Sequence, residues 1–400
     1  MAGLAGLLGK GDIQAINRSV ERAVSLPSAL YTTPESLALE RERIYFAGWT
    51  CVAVGGQVPE PGDILPVSVA GAPILVVRDR ERRLKAYHNV CRHRGTQLVT
   101  EFTRKQRVLV CPYHGWSYGL DGALRETPHF EGLNKHEPTA FKKSEMGLKE
   151  VRLEMWRDLV FVNVSGTAPP LAEQFAEIDS RWAPYDFSAL RYGTTTQFDL
   201  KANWKLCMEN FLESYHLPFA HPRLNASSRM ELHGCMITPD YFGQYSDDYR
   251  GGDAGHSSLA PFPGLPKSLM TRAEYPTFLP NLMLGLHPDY FFIFTLEPEA
   301  PDRTKETFHF YFVGEAATSP EYEAGRKGAI DLWVHTNRED MGVVERMQVG
   351  RHSPGYVGAR FSPHHEPTTH EFQRRVARLL AGRGAARKTK VSRAKRARRR

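Results

Sequence analysis

Two short segments of this 400-residue chain constrain it most: Cys91-Arg92-His93 and Cys111-Pro112-Tyr113-His114. They read C-x-H, then seventeen residues, then C-x-x-H. Two thiolates and two imidazoles at hairpin spacing make a metal site. The mixed donor set narrows the metal to a structural zinc or to a [2Fe–2S] centre with two histidines on one iron. Zinc would only hold a fold, whereas the cluster would carry electrons. The flanking strings, Asn89 to Gly95 and Cys111 to Tyr118, favour the cluster. Gly95, and Pro112 with Gly115, close the two loops, and glycine lets backbone N–H groups approach the sulfurs. Trp116 and Tyr118 stand where they would shield the centre from water.

A second motif runs from Asn203 to Pro222. Trp204, Cys207, Met208, Phe211, Leu212 and Tyr215 recur at helical spacing as one apolar stripe, leaving Glu209, Asn210, Glu213 and His216 off it. His216 and His221 are five residues apart, which an unbroken helix would turn away from each other. The expectation is that Pro218 stops the helix after His216 and lets His221 swing back. Two histidines and one carboxylate with open positions form the facial triad of non-haem Fe(II) oxygenases. Asp340 is the acid of choice. The segment 321–350 is helix-forming, and Ile330, Trp333, Asn337, Asp340, Val344 and Met347 share one face. A lone carboxylate among apolar neighbours is costly unless a cation takes it. Asp331, Glu339 and Glu345 fall off that face and are expected in solvent. The alternatives are a buried Asp340 paired with Arg338 or Arg346, and a hydrogen-bonded core pair for the histidines.

The two motifs in this order resemble the α-subunit of Rieske non-haem iron oxygenases, over roughly Leu37 to Leu380. The resemblance implies that Cys91, His93, Cys111 and His114 hold the cluster and that His216, His221 and Asp340 hold the mononuclear iron. It makes Glu213 the bridging acid between His216 and His114 of a neighbouring subunit, and it places Asn210 near the iron. Many ring dioxygenases carry Asp at the bridging position; the Glu resembles the branch acting on choline, glycine betaine or carnitine. The resemblance further implies an α+β architecture: a small all-β Rieske domain joined to a helix-grip catalytic domain, an antiparallel sheet gripping a long helix. Head-to-tail assembly into a homotrimer goes with it. So do electrons from NAD(P)H through a separate flavin or iron–sulfur reductase or ferredoxin, since the chain shows no strand–G-x-G-x-x-G–helix unit of its own. The implied reaction uses O2 to hydroxylate a small organic substrate. N-methyl hydroxylation of a quaternary ammonium compound is favoured; ring hydroxylation or O-demethylation of an aromatic is the alternative. A Rieske electron carrier without catalysis is the non-enzyme alternative, and the second motif argues against it.

Composition fits a cytoplasmic enzyme. Five cysteines leave Cys51, Cys207 and Cys235 outside the cluster, expected as buried free thiols of a reducing compartment. No apolar run approaches membrane length. The net charge of +7 belongs to the end of the chain: residues 383–400 carry ten Lys or Arg and no acid, and the remainder is net −3. Such a block is expected to stay a disordered basic tail. With no aromatics interleaved, it gives no reason to expect nucleic-acid binding. The expected organisation is an N-terminal helical segment over 1–43 packing on the catalytic domain, a Rieske domain over 44–166, a catalytic domain over 167–382 and the tail. Within it, strands are expected at Trp49–Val54, Ile64–Val69, Ile74–Val77, Leu84–Tyr87, Tyr192–Leu200, Leu282–Leu296 and Thr307–Val313. Phe219, Leu284, Leu286, Phe291, Phe292 and Phe294 are candidates to line a substrate pocket.

Overall fold

The computed structural model describes residues 4–250 and 259–382; the basic tail lies outside them. The chain begins with short helical segments, of which Pro34–Glu40 starts on a Thr33 side-chain cap with proline in its first turn and runs on into a π-helical stretch, Arg41–Phe46.

The first half is built on β1 (Thr50–Val54), β2 (Ile64–Val69), β3 (Ala72–Arg78), β4 (Leu84–His88), β5 (Val108–Val110), β6 (Ser117–Gly119), β7 (Leu124–Glu126), β8 (Glu150–Trp156) and β9 (Leu159–Asn163). Six of these form an antiparallel sheet in the order β1-β9-β8-β4-β3-β2, and β5-β6-β7 form a separate three-stranded sheet. Asp121-Gly122, with Gly122 at φ 80°, turns β6 into β7. The loop after β4 and the loop between β5 and β6 carry the two Cys/His pairs.

The second half holds β10 (Leu190–Leu200), β11 (His233–Ile237), β12 (Phe242–Ser246), β13 (Ala273–Phe278), β14 (Leu282–Leu286), β15 (Tyr290–Ala300) and β16 (Arg303–Val313). They form one antiparallel sheet, β10-β16-β15-β14-β13-β12-β11. The stretch expected as one strand, Leu282–Leu296, is two strands joined at His287–Asp289, where the His287 N–H donates to the Tyr290 carbonyl. An unbroken apolar run carries no signal for such a turn, because both strands are buried on both faces.

The two faces have different partners. Phe292, Phe294, Phe308 and Phe310 join a core with Trp204, Met208 and Trp333. Leu284, Leu286, Phe291 and Tyr311 join another with Trp49, Phe161, Phe175 and Trp182. The long helix Glu323–Arg351 lies on the first face. Trp333 Nε1 donates to Tyr290 Oη at 2.7 Å and Asn337 Nδ2 to Glu306 Oε2 at 2.9 Å, which pins the helix in register on the sheet. The helix Trp204–Phe211 packs beside it.

The N-terminal segment closes over that motif helix through buried polar contacts. Glu40 accepts from Lys205 Nζ at 2.5 Å and from Trp204 Nε1 at 2.7 Å, with Lys205 and Glu40 fully buried. Tyr31 Oη donates to Glu209 at 2.5 Å, and Gln373 of the C-terminal helix Pro367–Leu380 donates to the same carboxylate. A buried charge is stable only with such partners.

Candidate metal centres and pocket

The two cluster loops repeat one backbone design. The Cys91 N–H donates to Thr96 O at 2.8 Å, and Gly95 N–H returns to Cys91 O at 3.0 Å. The Cys111 N–H donates to Trp116 O at 2.8 Å, and Gly115 N–H to Cys111 O at 3.1 Å. Gly95 and Gly115 take φ 78° and 71°, a left-handed conformation that favours glycine. Each turn therefore presents one thiol inward and one imidazole outward.

Cys91 and Cys111 are buried, His93 is half-buried and His114 exposed. The histidine rings stand 4.7 Å apart. Trp116 stacks on His93 at 4.8 Å and an interplanar angle of 7°, and Tyr118 Oη sits 3.3 Å from Cys91 Sγ. Both shielding residues are buried. Burial raises the Cys91 thiol, and the adjacent Cys111 adds to it. Two buried thiols together, with two imidazoles at the solvent edge, suit a binuclear iron–sulfur centre whose thiolate charge the irons neutralise.

The second centre is assembled from side chains. The motif helix ends at Phe211, and a new helical turn, Leu217–Ala220, begins with His216 as its cap and Pro218 in its first turn. This corrects the expectation that Pro218 ends a helix: proline's missing N–H and fixed φ suit a helix start. The Glu213 carboxylate organises the break, accepting from the backbone N–H groups of Tyr215 and His216. His221 then comes back to within 5.1 Å of His216, ring to ring.

One nitrogen of each histidine and a carboxylate oxygen of Asp340 lie within 4.8 Å of one another. His221 Nε2 is 2.8 Å and His216 Nε2 3.6 Å from Asp340 Oδ1. Asn210 Nδ2 donates to the same oxygen at 3.0 Å. Among the described residues no arginine pairs with Asp340: its ion pairs are with His216 and His221, and Arg338 and Arg346 are exposed, so the alternative pairing does not form.

Each histidine is oriented from behind by an acid. His216 Nδ1 is 2.5 Å from Glu213 Oε1, and His221 Nδ1 is 2.7 Å from Glu339 Oε2. Burial pulls the His221 imidazole down, but Asp340 and Glu339 outweigh it and raise it. Two Nε2 atoms facing one carboxylate, each ring fixed through Nδ1, is the donor set of a facial triad with positions left for other ligands. It fits a ferrous ion.

Glu339 is the residue that helical phase misassigned. Predicted to be solvated, it instead reaches His221, and its other oxygen meets His335 Nε2 at 3.2 Å. Its place next to Asp340 was the available signal. Glu345, also expected in solvent, accepts from the Lys201 N–H at 3.0 Å. Cys235 departs as well: Cys51 and Cys207 are buried, but Cys235 is exposed on the edge strand β11.

A pocket opens on the triad. Its apolar wall is Phe211, Leu217, Leu224, Tyr275 and Trp333, and Ser228, His233 and Gln244 form a polar patch. Among its described lining residues there is no Lys or Arg. The sequence-based lining is mostly displaced. Phe219 is 81% exposed, and Leu284, Leu286 and Phe291 face the other core. Phe294 lines a small neighbouring cavity against Asp340, and Phe292 packs on Trp333.

Comparison with known proteins agrees. Residues 48–137 match the Rieske [2Fe-2S] domain and residues 187–382 the ring hydroxylating alpha subunit (catalytic domain), together more than two thirds of the chain. The chain belongs to the Rieske non-haem iron oxygenases. Such a chain works with a [2Fe–2S] cluster and a mononuclear iron, and a reductase supplies its electrons.

It is 27% identical over 363 residues to chloroplastic choline monooxygenase of Arabidopsis thaliana, spanning 88% of this chain and 82% of the relative. It is 28% identical over 354 residues to the carnitine monooxygenase oxygenase subunit of Escherichia coli (84% and 87%). Over 200 residues it is 37% identical to the glycine betaine monooxygenase oxygenase subunit of Chromohalobacter salexigens (50% and 44%). A solved quaternary ammonium Rieske monooxygenase superposes with a TM-score of 0.77 at 25% identity, over 90% of this chain and 96% of that one. A naphthalene 1,2-dioxygenase structure with indole bound in its active site shares the fold, with a TM-score of 0.72 at 19% identity, over 93% of this chain and 96% of that one.

No described helix is long and apolar enough to cross a membrane.

Proposed function

We propose that this protein hydroxylates an N-methyl carbon of a small quaternary ammonium compound, which then loses formaldehyde, and that it works as a cytoplasmic, head-to-tail homotrimer. The observation that carries the reading is the convergence of His216, His221 and Asp340 on one point at the floor of an aromatic pocket with no Lys or Arg among its described lining residues. In this reading Cys91, His93, Cys111 and His114 ligate the cluster, and the triad ligates the iron. Bound there, the iron supplies O2 activation and C–H oxidation.

The chain's own part is positioning. Phe211, Tyr275 and Trp333 offer ring faces to a cation, each contact being worth ~0.5–2 kcal/mol. Asp340 and Glu213 at the pocket floor balance the charge of a bound ferrous ion, and the described lining adds no Lys or Arg to repel a cationic substrate. Glu213 holds the His216 tautomer with Nε2 toward the triad. Its exposed counterpart is His114. In one chain the two lie in different domains, so a neighbouring subunit would bring them together through one shared carboxylate. Asn210 fixes the Asp340 oxygen that also meets His221.

The test is O2 uptake by the iron-loaded enzyme with NADH and a reductase, over choline, glycine betaine, carnitine and aromatic acids. Formaldehyde formed in step with O2 uptake is expected from one of the quaternary compounds. Coupled uptake with an arene alone would overturn the reading.

A further inference from the structure

The face of the three-stranded sheet that leads into Cys111 takes no part in the triad or its pocket. β5 is the edge strand of that sheet. Leu109 points into the core, whereas Val108 and Val110 point outward, 38% and 54% exposed. An exposed edge strand carrying apolar side chains is a surface suited to being covered. Beside it, the stretch from Phe102 to Tyr113 contains Arg104, Lys105 and Arg107 and no acid. All three are exposed, and none is in an ion pair with a described residue. Arg104 lies over the Phe102 ring at 5.5 Å.

The basic loop is held rigidly. Thr103 and Ile64 exchange backbone hydrogen bonds of 3.0 and 2.9 Å, and Gln106 N–H donates to Gly62 O at 2.9 Å. Of the nearby acids, Glu60 is engaged by Arg82 at 3.2 Å, Glu101 lies just before the run, and the exposed Glu126 stands on β7, the far strand from β5. The β5 edge of the sheet is therefore apolar, and the loop that leads into it is basic.

We infer that this β5 face, with Val108 and Val110 inside a rim of Arg104, Lys105 and Arg107, is the docking surface for an acidic one-electron carrier protein. The inference rests on the oxygenase reading and extends it to the partner. Val110 is covalently next to Cys111, so a carrier seated on β5 stands beside the cluster loop. The His114 tip is the side the proposed trimer gives to the neighbouring subunit. Electrons would thus arrive on one face of the subdomain and leave by another. A basic rim steers an acidic partner and sets its orientation, and an apolar centre keeps it there.

The test uses the cluster-loaded full chain and a plant-type [2Fe–2S] ferredoxin of strongly acidic sequence as the probe, with association followed at rising ionic strength. Wild-type association should slow steeply with salt. The R104E/K105E/R107E variant should associate at least about tenfold more slowly at low salt and lose the salt dependence. Val110→Ser should weaken binding while leaving the salt slope intact. Visible absorption and sedimentation should match wild type in both variants. Absence of ferredoxin binding to wild type, or equal association by wild type and the triple variant, would overturn the inference. So would a change of oligomeric state in the triple variant, which would assign the face to contact between copies. A protein that takes up no cluster fails the oxygenase reading instead, which separates the two failures.

Discussion

The two metal-binding regions are built by opposite means. In the cluster region the backbone does the work: one turn is used twice, each closed by a Cys N–H and a glycine at positive φ, and all four donors fall between Cys91 and His114. In the triad region side chains do the work. Asp340 is 119 residues from His221, and the histidines are aimed by carboxylates, Glu213 and Glu339, not by a repeated turn. The first region needs little beyond its own loops. The second exists only if the long helix sits in register on the sheet, through Trp333 on Tyr290 and Asn337 on Glu306.

The largest expected effects test whether the regions are independent. Cys111→Ser should abolish the visible absorption of the cluster while the chain keeps about one mononuclear iron, because no triad residue touches that loop. Asp340→Ala should do the reverse: it removes a donor that His221 and Asn210 both meet, so mononuclear iron and turnover are lost and the cluster spectrum stays. Metal analysis with absorption spectroscopy reads both. If either substitution empties both sites, the two regions are not independent.

Glu213→Gln comes next and addresses the link between the regions. Gln fills the same space beside His216 but carries no charge. Both metals should remain bound, and steady-state turnover should nearly disappear, by about a hundredfold, the upper end of the loss for carboxylates that hold a metal-bound imidazole. Normal O2 consumption in this variant would remove Glu213 from the route.

A smaller effect is expected at Glu339, which touches only the second region. Glu339→Gln should lower affinity for the mononuclear iron about 10–100-fold, measured by chelator competition, and leave the cluster untouched. An unchanged iron affinity would reduce the His221 contact to packing.

The same contrast explains what the sequence revealed. The cluster loops were legible residue by residue because their spacing, glycines and shielding aromatics are all local. The helix carrying Asp340 was legible by phase, since its apolar face is the one laid on the sheet. Glu339 was not, because a side chain one position off the buried face still reaches a histidine brought up by another element. The break at Phe211 was hidden for a related reason: the apolar stripe continues to Tyr215, while the chain leaves the helix to let the Glu213 carboxylate meet two backbone N–H groups. The pocket wall was least legible. Leu284, Leu286 and Phe291 alternate with Phe292 and Phe294 along strands buried on both faces, so hydrophobicity alone does not say which face carries the site.

The smallest expected effect separates the regions by pH. Glu306 on β16 is buried beneath the long helix and accepts from Asn337. Burial first, and then the charge of Asp340, push its carboxyl from the usual 4.5 up to about 8, so it is neutral in the folded protein at neutral pH. In the unfolded chain the same group ionises near its usual value. Between those values the folded state therefore binds more protons, and the contribution of Glu306 to stability is present at low pH, declines as pH rises and levels off above about 8. Glu306→Gln keeps an acceptor for Asn337 and has no charge to bury. The variant should gain on wild type steadily as pH rises, by several degrees in the thermal midpoint of the catalytic half, while the cluster absorption melts alike in both. Midpoints that run parallel across this range would show that Glu306 is already ionised in the fold, with a partner for its charge.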